Sequence, residues 1–210
     1  KGVSNCAICD GSLYKGKTVG VVGGGDAAVV EALYLANIAK KVHVFVRKGQ
    51  LKAGEEKRIQ ALKDKTNVVF HFDTVVKEVQ GTESEVQGVV IQSKSKQRIL
   101  DLDGLFLAIG STPNSQIFKN QLNLDREGYI VLKKDQQTSI EGVYAIGDIV
   151  DPIFKQAISA SGDGAKAAMQ AQQHLSDRMN RLVVKNTQVR KQISNNVIEI
   201  TSASQFEQEI

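Results

Sequence analysis

Residues 17–28 are Lys-Thr-Val-Gly-Val-Val-Gly-Gly-Gly-Asp-Ala-Ala, an apolar, β-branched run that leads directly into a glycine-rich turn. Residues 17–22 predict a buried strand, and the helix-forming residues 29–39 predict a helix after the turn. Residues 42–46 then predict a second strand. Strand, turn, helix and strand within about 30 residues make one βαβ unit, which implies a parallel sheet and an α/β fold.

The glycine-rich turn fits the dinucleotide-binding fingerprint Gly-x-Gly-x-x-Gly with alanine in the third position. The first glycine makes a tight turn, the second lets the backbone approach a pyrophosphate, and the small third residue lets the helix pack closely on the strand. Its place between a strand and a helix favours nucleotide binding over a merely structural turn. The cofactor-binding positions expected here are Gly23, Gly25, Asp26, Ala27 and Ala28.

Basic residues after the second strand indicate which nicotinamide cofactor the turn serves. NAD sites usually place an Asp or Glu there to accept the ribose 2′-hydroxyl. This chain has Arg47, Lys48 and Lys52 instead, and three converging cations suit a 2′-phosphate. We therefore predict NADPH as the cofactor, with a solvated basic turn as the alternative.

The remaining pattern extends the α/β assignment. An amphipathic helix is expected over residues 54–65, antiparallel strands outside the parallel sheet over 68–92, buried strands at 105–109 and 143–146, and a long helix from about 156 to 179. Residues 186–196 are polar and predict a linker. Beyond them, 197–200 predict a strand, and Ser204 to Glu207 form a capping box that opens a helix.

Composition excludes several classes of protein. The 210 residues are 41% hydrophobic and 24% charged, with a net charge of +4, a profile typical of a soluble globular protein. The charge excess is mild and no basic and aromatic residues alternate, so no nucleic-acid partner is expected. No apolar run approaches the roughly 18–20 residues that span a bilayer, and no targeting segment is visible. We expect a cytoplasmic protein, and the first residue, Lys1 rather than Met, suggests a fragment or a processed chain.

Two cysteines, Cys6 and Cys9, form a Cys-x-x-Cys motif. A structural zinc ion normally needs four ligands. The chain has no second cysteine pair, and its three histidines have no ligand-like spacing, so no metal site is expected. The spacing favours a redox dithiol.

Several further motifs occur in the order of a known family. They are Lys-Gly-Val-Ser-Asn-Cys-Ala-Ile-Cys-Asp-Gly at 1–11, Glu-Ala-Leu-Tyr-Leu at 31–35, Ala-Ile-Gly-Ser-Thr-Pro-Asn at 108–114, Gly-Val-Tyr-Ala-Ile-Gly-Asp at 142–148 and Lys-Gln-Ala-Ile-Ser-Ala at 155–160. With the fingerprint, they resemble low-molecular-weight bacterial thioredoxin reductase over about residues 1–178. The resemblance implies a flavoprotein that passes electrons from NADPH through FAD to an active-site disulfide and then to thioredoxin, as a homodimer when complete.

The resemblance also implies roles for individual residues. Cys6 and Cys9 are the expected redox pair, and Asp10 is the acid that handles protons during disulfide exchange. The further cofactor-binding positions that it implies are Ile109, Gly110, Gly147, Asp148, Lys155, Gln156 and Ala157. The expected domains are an NADPH-binding domain with a Rossmann-like parallel sheet at 1–109, the C-terminal half of an incomplete FAD-binding domain at 110–178, and a linker with the start of a thioredoxin-like domain at 179–210.

Three departures from the family pattern keep alternatives open. Ile8 stands where the family usually has a hydroxyl or a histidine, and the βαβ unit with which the family begins its FAD domain is not in this sequence. Residues 197–207 resemble the opening strand and helix of a thioredoxin domain, with an arbitrary amphipathic end as the alternative. The alternative functions are a flavoprotein that reduces a peroxiredoxin and an inactive nucleotide-binding fragment.

Overall fold

The computed structural model describes residues 1–196, with side chains through residue 190. The chain divides into two units, Lys1–Ser111 and Thr112–Ile210. The first unit is built on a five-stranded parallel sheet whose strands, in spatial order, are β1 (Val3–Ser4), β8 (Gly104–Leu107), β2 (Thr18–Val22), β3 (Lys41–Phe45) and β4 (Val68–His71). The predicted α/β class and parallel sheet are confirmed.

The βαβ unit forms where the sequence predicts it. Helix α2 (Asp26–Ala36) connects β2 to the parallel neighbour β3. It begins three residues before the predicted start, because the last residues of the fingerprint already form its first turn. Strand residues Val19 and Val42 are fully buried, and small residues such as Ala28 and Ala32 let α2 lie close to the sheet.

A second sheet in the first unit packs against the parallel sheet. It is antiparallel and consists of β5 (Thr74–Gly81), β6 (Val86–Ser93) and β7 (Lys96–Asp101). Phe45 and Leu105 of the parallel sheet pack against Val89 and Ile91 of β6. The predicted helix at 54–65 is present as α3 (Glu56–Lys63), with Ile59 and Leu62 buried.

The prediction that antiparallel pairing begins at residue 68 is wrong. Residues 68–71 form β4, the parallel edge strand beside β3. A short apolar run has the same pattern in both kinds of sheet, and the contacts that place β4 come from distant residues. The ring of His71 stacks on Phe45 and lies 2.9 Å, nitrogen to nitrogen, from His43.

These two histidines form a hydrogen-bonded chain with Arg98 of β7. Arg98 Nη2 lies 3.2 Å from His71 Nδ1. Because a guanidinium only donates, His71 Nδ1 accepts, and its Nε2–H donates to His43 Nδ1. Burial, followed by the charges of His71, Lys41 and Arg98, lowers the pKa of His43 to about 4.

The second unit has little regular structure before its long helix. It contains 3₁₀ helices at Gln116–Phe118 and Gly147–Ile149 and a small core of Leu122, Ile130 and Ala145. The strand predicted at 143–146 is wrong, because only an isolated bridge joins Tyr144 to Gln137. The Val143 N–H donates to the Ile140 carbonyl within a turn, and the Ala145 N–H donates to the Gln136 carbonyl of the preceding segment.

Helix α4 spans Ala157–Asn196, well past its predicted end near residue 179. It runs through the segment 186–196 that polarity alone predicted to be a linker. Residues 165–196 contain neither glycine nor proline, so nothing in that stretch interrupts a helix. The strand and the capping box predicted at 197–207 lie outside the described residues. No helix in the described part of the chain is long and apolar enough to cross a membrane.

Candidate redox turn and nucleotide cleft

Cys6 and Cys9 are joined by a disulfide across the short helix α1 (Ala7–Asp10), with their Cα atoms 5.3 Å apart. Cys6 is the N-cap of that helix, and the Cys9 backbone N–H donates to Cys6 Sγ at 3.1 Å. Cys9 is exposed and Ile8 is 60% exposed, while Ala7 is buried beneath them. The disulfide therefore lies at the surface, where another thiol or disulfide can reach it.

A serine that the sequence reasoning missed holds Asp10 in place. Ser4 Oγ donates to Asp10 Oδ2 at 2.6 Å and accepts the Cys6 N–H at 3.1 Å. Ser4 thus connects the carboxylate to the backbone of the disulfide turn. Its signal in the sequence is slight, a single hydroxyl two residues before the first cysteine.

The disulfide turn packs on one face of α2. A Cβ atom at Gly11, the residue after α1, would lie 2.9 Å from the Tyr34 ring and within 3.3 Å of Leu35 and Ile38. Tyr34 and Leu35 belong to the last turn of α2, and Ile38 follows the end of the helix. Glycine at position 11 is therefore required for the turn to approach the helix this closely.

Glu31 lies on α2 one turn before Leu35, and its side chain is half-buried. The Ala7 backbone N–H of the disulfide turn hydrogen-bonds its carboxyl group. Burial raises the pKa of Glu31 to about 7, and the Ala7 amide only partly opposes this. Its Oε2 atom is buried without a hydrogen-bond partner.

A cleft of about 770 Å³ opens at the carboxyl ends of β2, β3 and β8, next to the N-terminus of α2. This is where ligands bind in open α/β sheets. The sequence-predicted residues that line it are Gly23, Gly25, Asp26, Ala27, Arg47, Lys48, Lys52, Ile109 and Gly110. Ala28 lies below the cleft, fully buried against the sheet. Gln50 and Thr74 also line the cleft and were missed, because no motif marks them.

The glycines of the turn serve different purposes. Gly23 has φ +149°, and a Cβ there would collide with the Ala108 carbonyl and with Ala28. A Cβ at Gly24 would lie 2.7 Å from Val46 Cγ1. At Gly25, in contrast, no atom lies within 4 Å of the added Cβ. The backbone before the helix is thus left open, and the first N–H groups of α2 have no partner within the helix, as an approaching pyrophosphate requires.

Three cations meet at the other side of the cleft. The pKa of Lys48 is lowered, chiefly by a hydrogen bond with Lys52 and by the Lys52 charge. Burial and the Arg47 charge lower it further. Two backbone tethers hold this loop to the glycine-rich turn: Lys52 N–H donates to the Gly24 carbonyl at 2.6 Å, and Gly54 N–H donates to Asp26 Oδ1 at 2.9 Å. A bound phosphate would relieve the repulsion between the lysines.

The other predicted cofactor residues lie in the second unit. Gly147 has φ +72° and begins the 3₁₀ turn that carries the exposed Asp148. Lys155, Gln156 and Ala157 lead into α4. Burial alone would raise the pKa of Asp151, but the backbone N–H groups of Phe154, Ile153 and Lys155 lower it below its usual range. The Asp151 carboxylate therefore orders the approach to α4.

The described residues contain one strand, glycine-rich turn and helix N-terminus of the kind that cradles a pyrophosphate, at 23–28. They contain no group of three or more metal-ligating side chains. An exposed disulfide and a dinucleotide cleft within one unit are the features of an oxidoreductase that couples a nicotinamide nucleotide to a disulfide. The model of one family, pyridine nucleotide-disulphide oxidoreductase, matches residues 1–164. The chain belongs to this family, whose members depend on FAD and use NADPH.

Within the family, the chain is similar to thioredoxin reductases. It is 43% identical over 190 residues to thioredoxin reductase of Coxiella burnetii, covering 86% of this chain and 59% of the relative. It is 38% identical to NADPH-dependent thioredoxin reductase 3 of Arabidopsis thaliana, covering 88% of this chain and 35% of the relative. The crystal structure of thioredoxin reductase from Streptococcus pyogenes superimposes with a TM-score of 0.79 at 37% identity, covering 84% of this chain and 58% of that one. The chain spans less than two thirds of the length of each.

Proposed function

We propose that this chain forms the NADPH-binding and disulfide-bearing part of a flavoprotein that reduces the disulfide of thioredoxin. One observation carries the proposal: α2 begins at the cationic dinucleotide cleft and, in its last turn at Tyr34 and Leu35, supports the turn that carries the exposed Cys6–Cys9 disulfide. Electron donor and electron acceptor are thus served by the same unit. The names of the relatives support thioredoxin as the substrate.

NADPH is the proposed hydride donor. The N-terminus of α2 and the open backbone at Gly25 suit its pyrophosphate, and Arg47, Lys48 and Lys52 suit its 2′-phosphate. None of the cleft residues near these cations offers a carboxylate to a ribose 2′-hydroxyl except Asp26, whose Oδ1 accepts the Gly54 N–H. The name of the Arabidopsis relative supports the same cofactor.

FAD is the proposed second cofactor. When bound, it supplies the two-electron carrier between NADPH and the disulfide. Gly147 and Asp148 fit a contact with its ribityl part, since a left-handed glycine and an exposed carboxylate stand together at the start of the 3₁₀ turn. Lys155, Gln156 and Ala157 are the proposed segment along its ring. The described residues offer no second glycine-rich cradle, so these residues would hold only part of FAD.

The disulfide chemistry follows from the geometry of the turn. Reduction of Cys6–Cys9 takes two electrons and two protons in all, and the sulfur atoms hold one of those protons when Cys6 remains a thiolate. The Cys9 N–H that donates to Cys6 Sγ favours a thiolate at Cys6, so we place the attacking sulfur there. Cys6 attacks a thioredoxin sulfur and forms a mixed disulfide while the other thioredoxin sulfur leaves as a thiolate. Cys9 then attacks Cys6, which restores the disulfide and releases reduced thioredoxin.

Asp10 is the proposed proton carrier in this exchange. Its carboxylate is held by Ser4, whose oxygen also receives the Cys6 N–H. It takes the proton from the Cys9 thiol when Cys9 attacks the mixed disulfide, and it returns one to the departing thioredoxin sulfur. The net exchange consumes no proton.

The remaining features of the proposal concern the whole protein. We infer a cytoplasmic location, a homodimer, and thioredoxin supplied either as a separate protein or as a fused domain. Exposed apolar residues along α4, such as Leu182 and Val183, support an association of the described helix with another surface. Light scattering of the full-length protein tests the dimer.

The test of the proposed function is NADPH-driven reduction of thioredoxin by the full-length flavoprotein. We expect turnover with NADPH, loss of turnover in Cys6→Ser and in Cys9→Ser, and retention of flavin in both variants. The matched control is Ser84→Ala in the exposed turn at 82–85, which leaves the rate unchanged. Reduction of a peroxiredoxin but not of thioredoxin would overturn the proposed substrate.

A further inference from the structure

The half-buried side chain of Glu31 has no part in the proposed electron path, yet it lies against the disulfide turn. It accepts the N–H of Ala7, the residue between the two cysteines that is buried against α2. Its Oε2 atom is buried and makes no hydrogen bond. No ion pair among the described residues includes Glu31. A buried oxygen without a partner is costly, and it invites a proton.

We propose that Glu31 is a positioning residue for the Cys6–Cys9 couple, which holds the turn through the Ala7 amide and takes up a proton when the disulfide is reduced. The inference rests on the proposed function in that it assigns a role to a residue of the same redox site. It adds a fourth group to the set of Cys6, Cys9 and Asp10, one that acts on the sulfur atoms from below the turn.

The proton balance follows from charge. In neutral or mildly alkaline solution the disulfide gains two electrons and one proton, and becomes one thiol and one thiolate. The thiolate brings a negative charge to the turn that Glu31 supports. A nearby negative charge disfavours the carboxylate, so the Glu31 carboxylate gains the second proton from solvent. Oxidation of the dithiol by a substrate disulfide removes both electrons and releases that proton again.

Other titratable groups are present on the packed elements. The disulfide turn carries Asp10, the 3₁₀ helix that follows it (Gly11–Tyr14) carries Tyr14, and α2 itself carries Asp26 and Tyr34. Asp10 is already engaged by Ser4, and Asp26 by Gly54. Burial and the Asp10 charge raise the pKa of Tyr14, which keeps it neutral. Burial disfavours the carboxylate form of Glu31 and raises its pKa to about 7.

The experiment measures the equilibrium of the Cys6–Cys9 disulfide with dithiothreitol in this 210-residue chain, by alkylation and mass spectrometry, at pH 6.0 and pH 8.5. Glu31→Gln keeps an acceptor for the Ala7 N–H but cannot titrate. At pH 6.0 we expect the variant and the wild type to be reduced equally. At pH 8.5 the variant is reduced more readily by about tenfold, the factor that corresponds to one pKa unit of coupling. The matched control is Glu56→Gln, an exposed first-turn glutamate of α3, which follows the wild type at both values.

A ratio that stays within about twofold of one at both pH values overturns the inference, since tenfold is expected for one unit of coupling. If Glu31→Gln does not fold, as judged by circular dichroism, the wild type decides the question. We expect carbon-13 spectra of glutamate-labelled protein to contain a carboxyl group that titrates near pH 7 in the oxidised state. We expect its midpoint to rise on reduction, and an unchanged midpoint overturns the inference. Neither measurement uses NADPH, flavin or thioredoxin, so failure here is distinct from failure of the proposed function.

Discussion

Substitution of alanine at Gly25 separates nucleotide binding from folding. Gly25 has φ −97° and ψ −170°, which any residue adopts, and the added methyl group meets no atom of the chain within 4 Å. The free energy of unfolding should therefore change little: the loss of a favourable N-cap glycine and the stiffening of the unfolded chain act in opposite directions, each by roughly 0.5–1 kcal/mol.

The same methyl group lies where a pyrophosphate must approach the backbone. It should remove one charge-assisted hydrogen bond between the phosphate and the first N–H groups of α2, at a cost of roughly 1.5–3 kcal/mol. NADPH affinity should thus fall by about 10- to 150-fold, since each 1.4 kcal/mol is a factor of ten. Calorimetric titration of NADPH into wild type and Gly25→Ala measures this directly.

Two comparisons sharpen the test. Adenosine 2′-monophosphate carries the 2′-phosphate but no pyrophosphate, so its affinity should not depend on residue 25. Gly23→Ala should instead destabilise the fold by about 1–3 kcal/mol. The backbone at residue 23 is left-handed, and the added Cβ would collide with the Ala108 carbonyl. If Gly25→Ala weakens both nucleotides equally, or melts like Gly23→Ala, the assignment of the turn to a pyrophosphate is refuted.

Three further outcomes can be checked. Arg47→Ala should weaken NADPH by about 10-fold or more while leaving NADH unchanged, because a charge-assisted contact to phosphate is lost; equal loss for both nucleotides in calorimetry would count against a 2′-phosphate site. The 210-residue chain should retain no stoichiometric FAD after desalting, because its described residues hold one pyrophosphate cradle; a yellow protein with a flavin spectrum would contradict this. His43, with its pKa lowered to about 4, stays neutral in the fold, so the unfolded chain binds the proton first as pH falls below about 6.5. Stability in urea should therefore decrease from pH 7 to pH 4, and His43→Phe should flatten that decrease; an unchanged slope in the variant would show that other groups cause it.

The elements predicted best from the sequence are those with a local cause. The β2–α2–β3 unit follows from an apolar run, a glycine-rich turn and a helix of good formers, all adjacent in the chain. The position of Arg47, Lys48 and Lys52 could also be predicted from the sequence. They follow the second strand of the βαβ unit, and the carboxyl ends of parallel strands meet at the edge of the sheet where ligands bind. Their roles toward NADPH remain predictions.

Most of the errors originate in contacts between distant residues, and one has a local cause. Strand β4 joins the parallel sheet because of neighbours such as His43, which lies 28 residues earlier. The continuation of α4 beyond residue 179 follows from the absence of glycine and proline in residues 165–196, while the polarity of residues 186–196 is equally typical of a linker. Ser4 and Glu31 were missed as site residues because only the folded turn brings Ser4 to Asp10 and Ala7 to Glu31.

The two tethers between the cationic loop and the glycine-rich turn have a consequence for the engineering of cofactor preference. Both use backbone N–H groups of the loop, from Lys52 and Gly54, so the side chain at position 52 can be exchanged without loss of its tether, provided that it is not proline. Inserting or deleting one residue between Arg47 and Lys52 would instead move the donor away from the Gly24 carbonyl. Preference for a different nucleotide should therefore transfer between relatives by exchange of side chains at constant loop length, and grafted loops of another length should loosen the phosphate cradle itself.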